Sequence, residues 1–173
     1  LTEYRLAGVV RPIDVLTQAA LYLSALCLFA LFGFILSEVI ARNIFGRSIS
    51  FSWDYAAYMM GAVFFLASGA ALRNGVHVRV TALREVLAPG MRRALDILAC
   101  LVGIATVAMI LWALAEMAWL SYGRGSRAAT VSKTPLWLPQ AAMAAGALVL
   151  WLQMIAQTLR VLAGGTLHGD AAE

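Results

Sequence analysis

Four stretches of this chain carry no charged residue: 15–37, 55–72, 97–115 and 134–159. A helix that crosses a bilayer needs about 20 predominantly apolar residues, and each stretch meets or nearly meets that length. In hydrocarbon every backbone N–H and C=O must be paired within the structure, so such runs fold as helices. Composition agrees. Of 173 residues, 62% are hydrophobic and 13% charged, against about 25% charged in ordinary globular chains. A soluble domain of this size cannot hide so much apolar surface. The expectation is an all-α integral membrane protein. Residues 1–165 form a single four-helix domain with spans near 15–41, 53–74, 94–121 and 134–161, followed by a short flexible tail over 166–173. The first run is too long for a cleavable signal, and no A-x-A site follows it.

Start and stop signals bracket the runs. Ser52 is placed to cap the second helix, with Asp54 favourable in its first turn. Arg73 and Gly75 suit its C-terminal end. Pro89-Gly90 precedes the third helix, and Pro135 and Pro139 fall where the fourth begins, where a missing N–H costs least.

Twelve of the thirteen basic residues are arginine, and they sit at the edges of the apolar runs without forming a block. That pattern argues for membrane flanking and against nucleic-acid binding. With both termini inside, Arg5, Arg11, Arg73, Arg79, Arg84, Arg92, Arg93 and Arg160 are cytoplasmic. Arg42, Arg47, Arg124, Arg127 and Lys133 are outside. The larger set belongs inside, so the basic turn "ALRNGVHVRV" at 71–80 is expected to be cytoplasmic. Beyond it, "RVTALREVLA" at 79–88 is too short and too charged to span. Val80, Leu83 and Leu87 recur at helical spacing, so a short amphipathic interfacial helix is expected, its basic side chains toward headgroups. The alternation in "VHVRV" leaves a strand-like reading open.

Chemistry-bearing residues are few. Glu38 and Arg42 share a helix face at a spacing of four, acid before base. They read as an ion pair at a helix end or as a proton relay. Glu116, one turn before Trp119 and close to the outer interface, could meet an arginine from 124–133 or take part in a relay. His77 has no second ligand at metal or haem spacing. Cys27 and Cys100 sit singly inside apolar runs and read as small hydrophobes. No G-x-S-x-G, H-E-x-x-H or phosphate loop occurs, so no enzyme, metal or cofactor is expected. Trp53, Tyr55, Tyr58, Trp119, Tyr122 and Trp137 cluster at the outer helix ends, as an aromatic belt or a docking surface does. Ala57 with Gly61 and Gly69, and Ala142 with Gly146, allow close helix approach, within this chain or against a larger membrane partner.

In order along the chain, "EVIARNIFGRSISFSW", "GAALRNGVHVRV" and "TPLWLPQAAMAAGALVLWLQ" resemble the small membrane subunit of tripartite ATP-independent periplasmic (TRAP) transporters, the DctQ-like family. The likeness covers nearly the whole chain. It departs after the tryptophan, where the family often has two acids and this chain has Tyr55 and Ala56. It departs again at Thr81, where the family often has aspartate. The resemblance implies a non-catalytic subunit of the bacterial inner membrane, free of cofactors. Its partners would be a large elevator subunit holding the substrate and sodium sites, a periplasmic binding protein for an organic acid, and membrane lipids. Candidate partner or lipid contacts are Glu38, Arg42, Trp53, Asp54, Arg73, Gly75, His77, Arg79, Arg84, Trp119 and Trp137. Two other readings stay open: a stand-alone proton-coupled exporter using Glu38, and a cofactor-free scaffold of another complex.

Overall fold

A computed structural model describes residues 2–49, 51–74, 89–130 and 132–162. The apolar runs are helices: α1 over Thr2–Phe45, α2 over Ser52–Arg73, α3 over Pro89–Gly123 and α4 over Trp137–Leu162. Each contains a segment long and apolar enough to cross a membrane. Among the described residues there is no strand, and an isolated bridge pairs Arg127 with Pro135. The interfacial helix expected at 79–88 and the tail at 166–173 lie outside the described residues.

The helix ends follow local chemistry. Gly46 takes a left-handed φ of +63°, and the Arg47 N–H returns to the Ala41 carbonyl at 3.2 Å, a glycine-terminated C-cap. At the start of α2 the expected Ser52 cap does not form. Ser52 is already helical, Phe51 precedes it, and no side chain caps the end. The Ser52 hydroxyl lies instead between the Glu38 carboxylate and the Ile49 carbonyl. A cap needs an oxygen on the residue before the first turn to accept a helix N–H; Ser52 sits one position inside the helix, and its hydroxyl serves as a donor. Pro139 falls in the first turn of α4. Thr134 and Pro135 belong to the preceding turn, where the Ala128 N–H bonds the Thr134 carbonyl and the Leu136 N–H bonds the Ser126 carbonyl.

The helices are not arranged as a closed bundle. α1, α2 and α4 all touch one another, whereas α3 packs along α4 and makes no comparable contact with α1 or α2. α2 runs antiparallel to α1 and parallel to α4. Tyr55 stacks near Phe34 with ring centroids 6.1 Å apart, while Gly61 lies by Met143 and Gly69 by Val149 and Leu150. The apolar centre is small: Ala20, Ala62, Leu66 and Val149. A second cluster joins Cys100 and Ile97 of α3 to Val161 of α4.

Close approach depends on Gly146. A Cβ placed there would come within 2.7 Å of the Leu66 nitrogen and the Phe65 carbonyl carbon. Backbone cannot yield as a side-chain tip can, so only glycine fits this crossing. Gly61 and Gly69 also face neighbours, but Ala57 and Ala142 are exposed; the four-residue spacing overstates the packed face. The expected outcome is that Gly146→Val lowers stability by about 1–3 kcal/mol. Gly33→Ala, with nothing within 4 Å, is neutral or slightly stabilising. Thermal unfolding of the detergent-solubilised protein compares the two.

Candidate functional site

Polar residues gather at the two ends of the α1–α2–α4 unit. At the end where α1 gives way to α2, Glu38 is 5% exposed and fully engaged. Its carboxylate accepts hydrogen bonds from Arg42 Nη2 at 2.8 Å, Ser48 Oγ at 2.6 Å, the Ile49 N–H at 2.7 Å and Ser52 Oγ at 3.1 Å. Helical spacing brings Arg42 over Glu38, and the left-handed Gly46 reverses the chain so that 48–52 folds back onto the same carboxylate. Arg42 also lies over the Trp53 ring, 5.9 Å from its centroid, a cation–π distance. Ile35, Val39, Asn43 and Ala56 complete an open groove of about 310 Å³ beside this group.

The α3–α4 turn closes onto the first turn of α2. Ser132 Oγ reaches Asp54 Oδ2 at 3.3 Å, and Thr134 Oγ1 donates to the Tyr55 hydroxyl at 3.2 Å. Trp137 meets Tyr122 edge-to-face at 5.6 Å. Thus Glu38, Arg42, Trp53, Asp54 and Trp137 share one end of the molecule. Arg47, Arg124, Arg127 and Lys133 stand exposed there. Trp119 points outward from α3.

The opposite end holds a second node. Arg160 Nη2 pairs with Asp14 Oδ2 at 2.6 Å, and Arg73 Nε stands 3.8 Å from Asp14 Oδ1. Gln153, fully buried, donates from Nε2 to Asp14 Oδ1 at 3.3 Å and accepts from Thr17 Oγ1 at 3.0 Å. Arg73 Nη1 donates to Gln18, and Arg160 Nη1 to Gln157. One carboxylate therefore ties α1, α2 and α4 together. Sequence reasoning placed Arg73 among lipid or partner contacts; the structure turns its guanidinium onto α1. It overlooked Asp14, Thr17 and Gln18 altogether. A signal existed, because Gln153, Gln157 and Arg160 recur at helical spacing and form a polar stripe on an apolar helix that calls for a polar neighbour. Gly75, His77, Arg79 and Arg84 lie outside the described residues.

Glu116 does not meet the arginines of 124–133. It is exposed on α3 and has no hydrogen bond or ion pair among the described residues.

Four apolar helices, polar nodes at their ends and aromatic side chains around one end define a multi-pass α-helical membrane protein. The chain belongs to the DctQ family: residues 31–164 match the family described as tripartite ATP-independent periplasmic transporters, DctQ component. It is thus a small membrane subunit of a TRAP transporter, and family and helices together point to the inner membrane. Membership implies a complex with a large membrane subunit and a substrate-binding protein. No curated protein and no solved structure matches the chain.

Both nodes have measurable weight. Asp14→Ala removes the carboxylate that Arg73, Arg160 and Gln153 share and is expected to cost about 1–3 kcal/mol of stability. At the other end Glu38→Ala should lower the thermal midpoint more than Arg42→Ala. The first leaves several donors of the 46–52 turn without an acceptor, while the second leaves Glu38 with its serines and the Ile49 N–H. An equal effect would show that the turn does not depend on the carboxylate.

Proposed function

We propose that this chain is the non-catalytic scaffold of its transporter. It holds the large elevator subunit in the bilayer and helps dock the periplasmic binding protein during sodium-driven uptake of an organic acid. The substrate and sodium sites then belong to the partners. The observation that carries this reading is where the two buried-end carboxylates spend their bonding capacity. Glu38 and Asp14 are saturated by donors of their own chain. A carboxylate that must load and release a proton or ion needs exchangeable coordination, which neither node offers. The helices are unbroken through their apolar stretches, unlike the discontinuous helices that build substrate sites in many secondary transporters. Both features favour a scaffold over a stand-alone exporter working through Glu38.

Docking of the binding protein belongs at the Glu38 end. Arg47, Arg124, Arg127 and Lys133 give it an exposed positive rim, while its acids, Glu38 and Asp54, are already engaged. Such a rim steers an acidic protein surface by long-range attraction. This end is then periplasmic, and both termini and the 75–88 segment are cytoplasmic, as the arginine distribution favours. Arg79, Arg84 and His77 would there meet headgroups or the large subunit, with Gly75 supplying the turn.

Two measurements test this. Liposomes carrying the chain alone, under an imposed sodium or proton gradient, should take up no more organic acid than empty liposomes; uptake above that background overturns the scaffold. Single cysteines at Ser126 and Thr81, in a background lacking Cys27 and Cys100, should label oppositely in intact cells. An impermeant thiol reagent is expected to reach Ser126 and not Thr81, and the reverse result inverts the topology.

A further inference from the structure

One helix carries a face that the rest of the chain does not use. α3 packs on α4, and Cys100, Ile104, Val107, Leu111 and Leu114, at a spacing that alternates four and three residues, are buried or half-buried along one of its faces. Its opposite face repeats the same spacing through Val102, Ala105, Met109, Trp112, Glu116 and Trp119, and every one of these is exposed. Met109 and Trp112 are each 71% exposed, and Trp119 is 75% exposed. An apolar face alone would be accounted for by lipid. Glu116 is what lipid does not account for.

Its depth follows from its neighbours. Tyr122 and Trp137 meet at the aromatic level of this end. Glu116 comes six residues earlier on α3, about 9 Å further in. On the facing helix Gln140, with its amide turned to satisfy both ends, bonds the Met117 carbonyl and the Ser121 hydroxyl from the α4 side. Glu116 points away from that contact. A carboxyl one turn inside Trp119, exposed on an apolar helix face and with no donor among the described residues, is costly, and such residues pair with a neighbouring protein group.

From the geometry we infer that this face of α3 is the seam against the large membrane subunit. The occupant is one of that subunit's transmembrane helices, and it presents a cationic or hydrogen-bond-donating side chain opposite Glu116. The heptad spacing suits helices crossing at about 20°. Ala105 leaves room for close approach, and the Trp112 and Trp119 indoles add large rigid contact surfaces with one donor each. A second copy of this chain is the wrong occupant. Copies in one membrane share an orientation, so a two-fold contact through this face is parallel and sets Glu116 against Glu116 with no counter-charge.

The seam rests on the scaffold reading, and the experiment separates the two. The chain is co-expressed with the large subunit of its own transporter, with a photo-crosslinking amino acid at Met109 or Trp112, or at Phe29 or Phe64 as exposed positions on α1 and α2. Crosslinks to the large subunit are expected from the α3 positions and not from the others. Crosslinks to it only from Phe29 or Phe64 overturn the seam and leave the scaffold standing. Crosslinks from α3 to another copy of this chain also overturn the seam. Failure of the unmodified chain to co-purify with the large subunit removes the scaffold reading and the seam together. Glu116→Lys is expected to reduce co-purification about tenfold or more by setting a cation against the cation or donor opposite, and Glu116→Gln by less. Since Glu116 has no hydrogen bond or ion pair among the described residues, both variants should keep the parent's thermal midpoint when purified alone. Unchanged co-purification of Glu116→Lys overturns the proposal.

Discussion

Where a bilayer excludes water, a carboxylate is stable only if protein groups supply the donors that water would have given. Asp14 meets that condition with groups from two other helices: Arg73 of α2, and Gln153 and Arg160 of α4. Satisfying one residue therefore fixes the rotation of three helices. The Gln153 amide is decisive, because it is buried between a hydroxyl on one side and the carboxylate on the other and has a single orientation that serves both. The glycine crossing at Gly146 brings α2 and α4 close enough for this polar node to form. Packing sets the distance, and polar pairing sets the register.

Glu38 solves the same problem by local means. Its donors come from within fourteen residues of sequence: its own next turn and the loop that follows. The two nodes therefore hold different things. Asp14 holds helices to each other, and Glu38 holds a connection in shape, presenting Trp53 and Arg42 at a defined angle.

The four helices were legible in the sequence because uncharged length is a strong signal in a medium that forbids unpaired backbone. The Glu38–Arg42 pair was legible because spacing along one helix fixes who meets whom. Asp14 was not, since its partners lie more than fifty residues away and only the packing of three helices reveals them. The Ser52 cap does not form because the helix boundary falls one residue earlier than local propensity suggests: Phe51 takes the cap position and Ser52 is already helical. Small residues at four-residue spacing marked the right helices, yet Ala57 and Ala142 turned out to face outward. Spacing alone does not say which face is packed.

The contact of α3 with α4 is unlike the rest. α1 and α2 each pack on two neighbours and α4 on three, whereas the extensive contact of α3 is with α4. In that contact Gly103 leaves a notch that the Met154 thioether fills, the softest and most adaptable side chain available. The Asp14 node ties α1, α2 and α4 together, the Glu38 node ties α1 to the start of α2, and neither includes a residue of α3, which is positioned by its packing on α4.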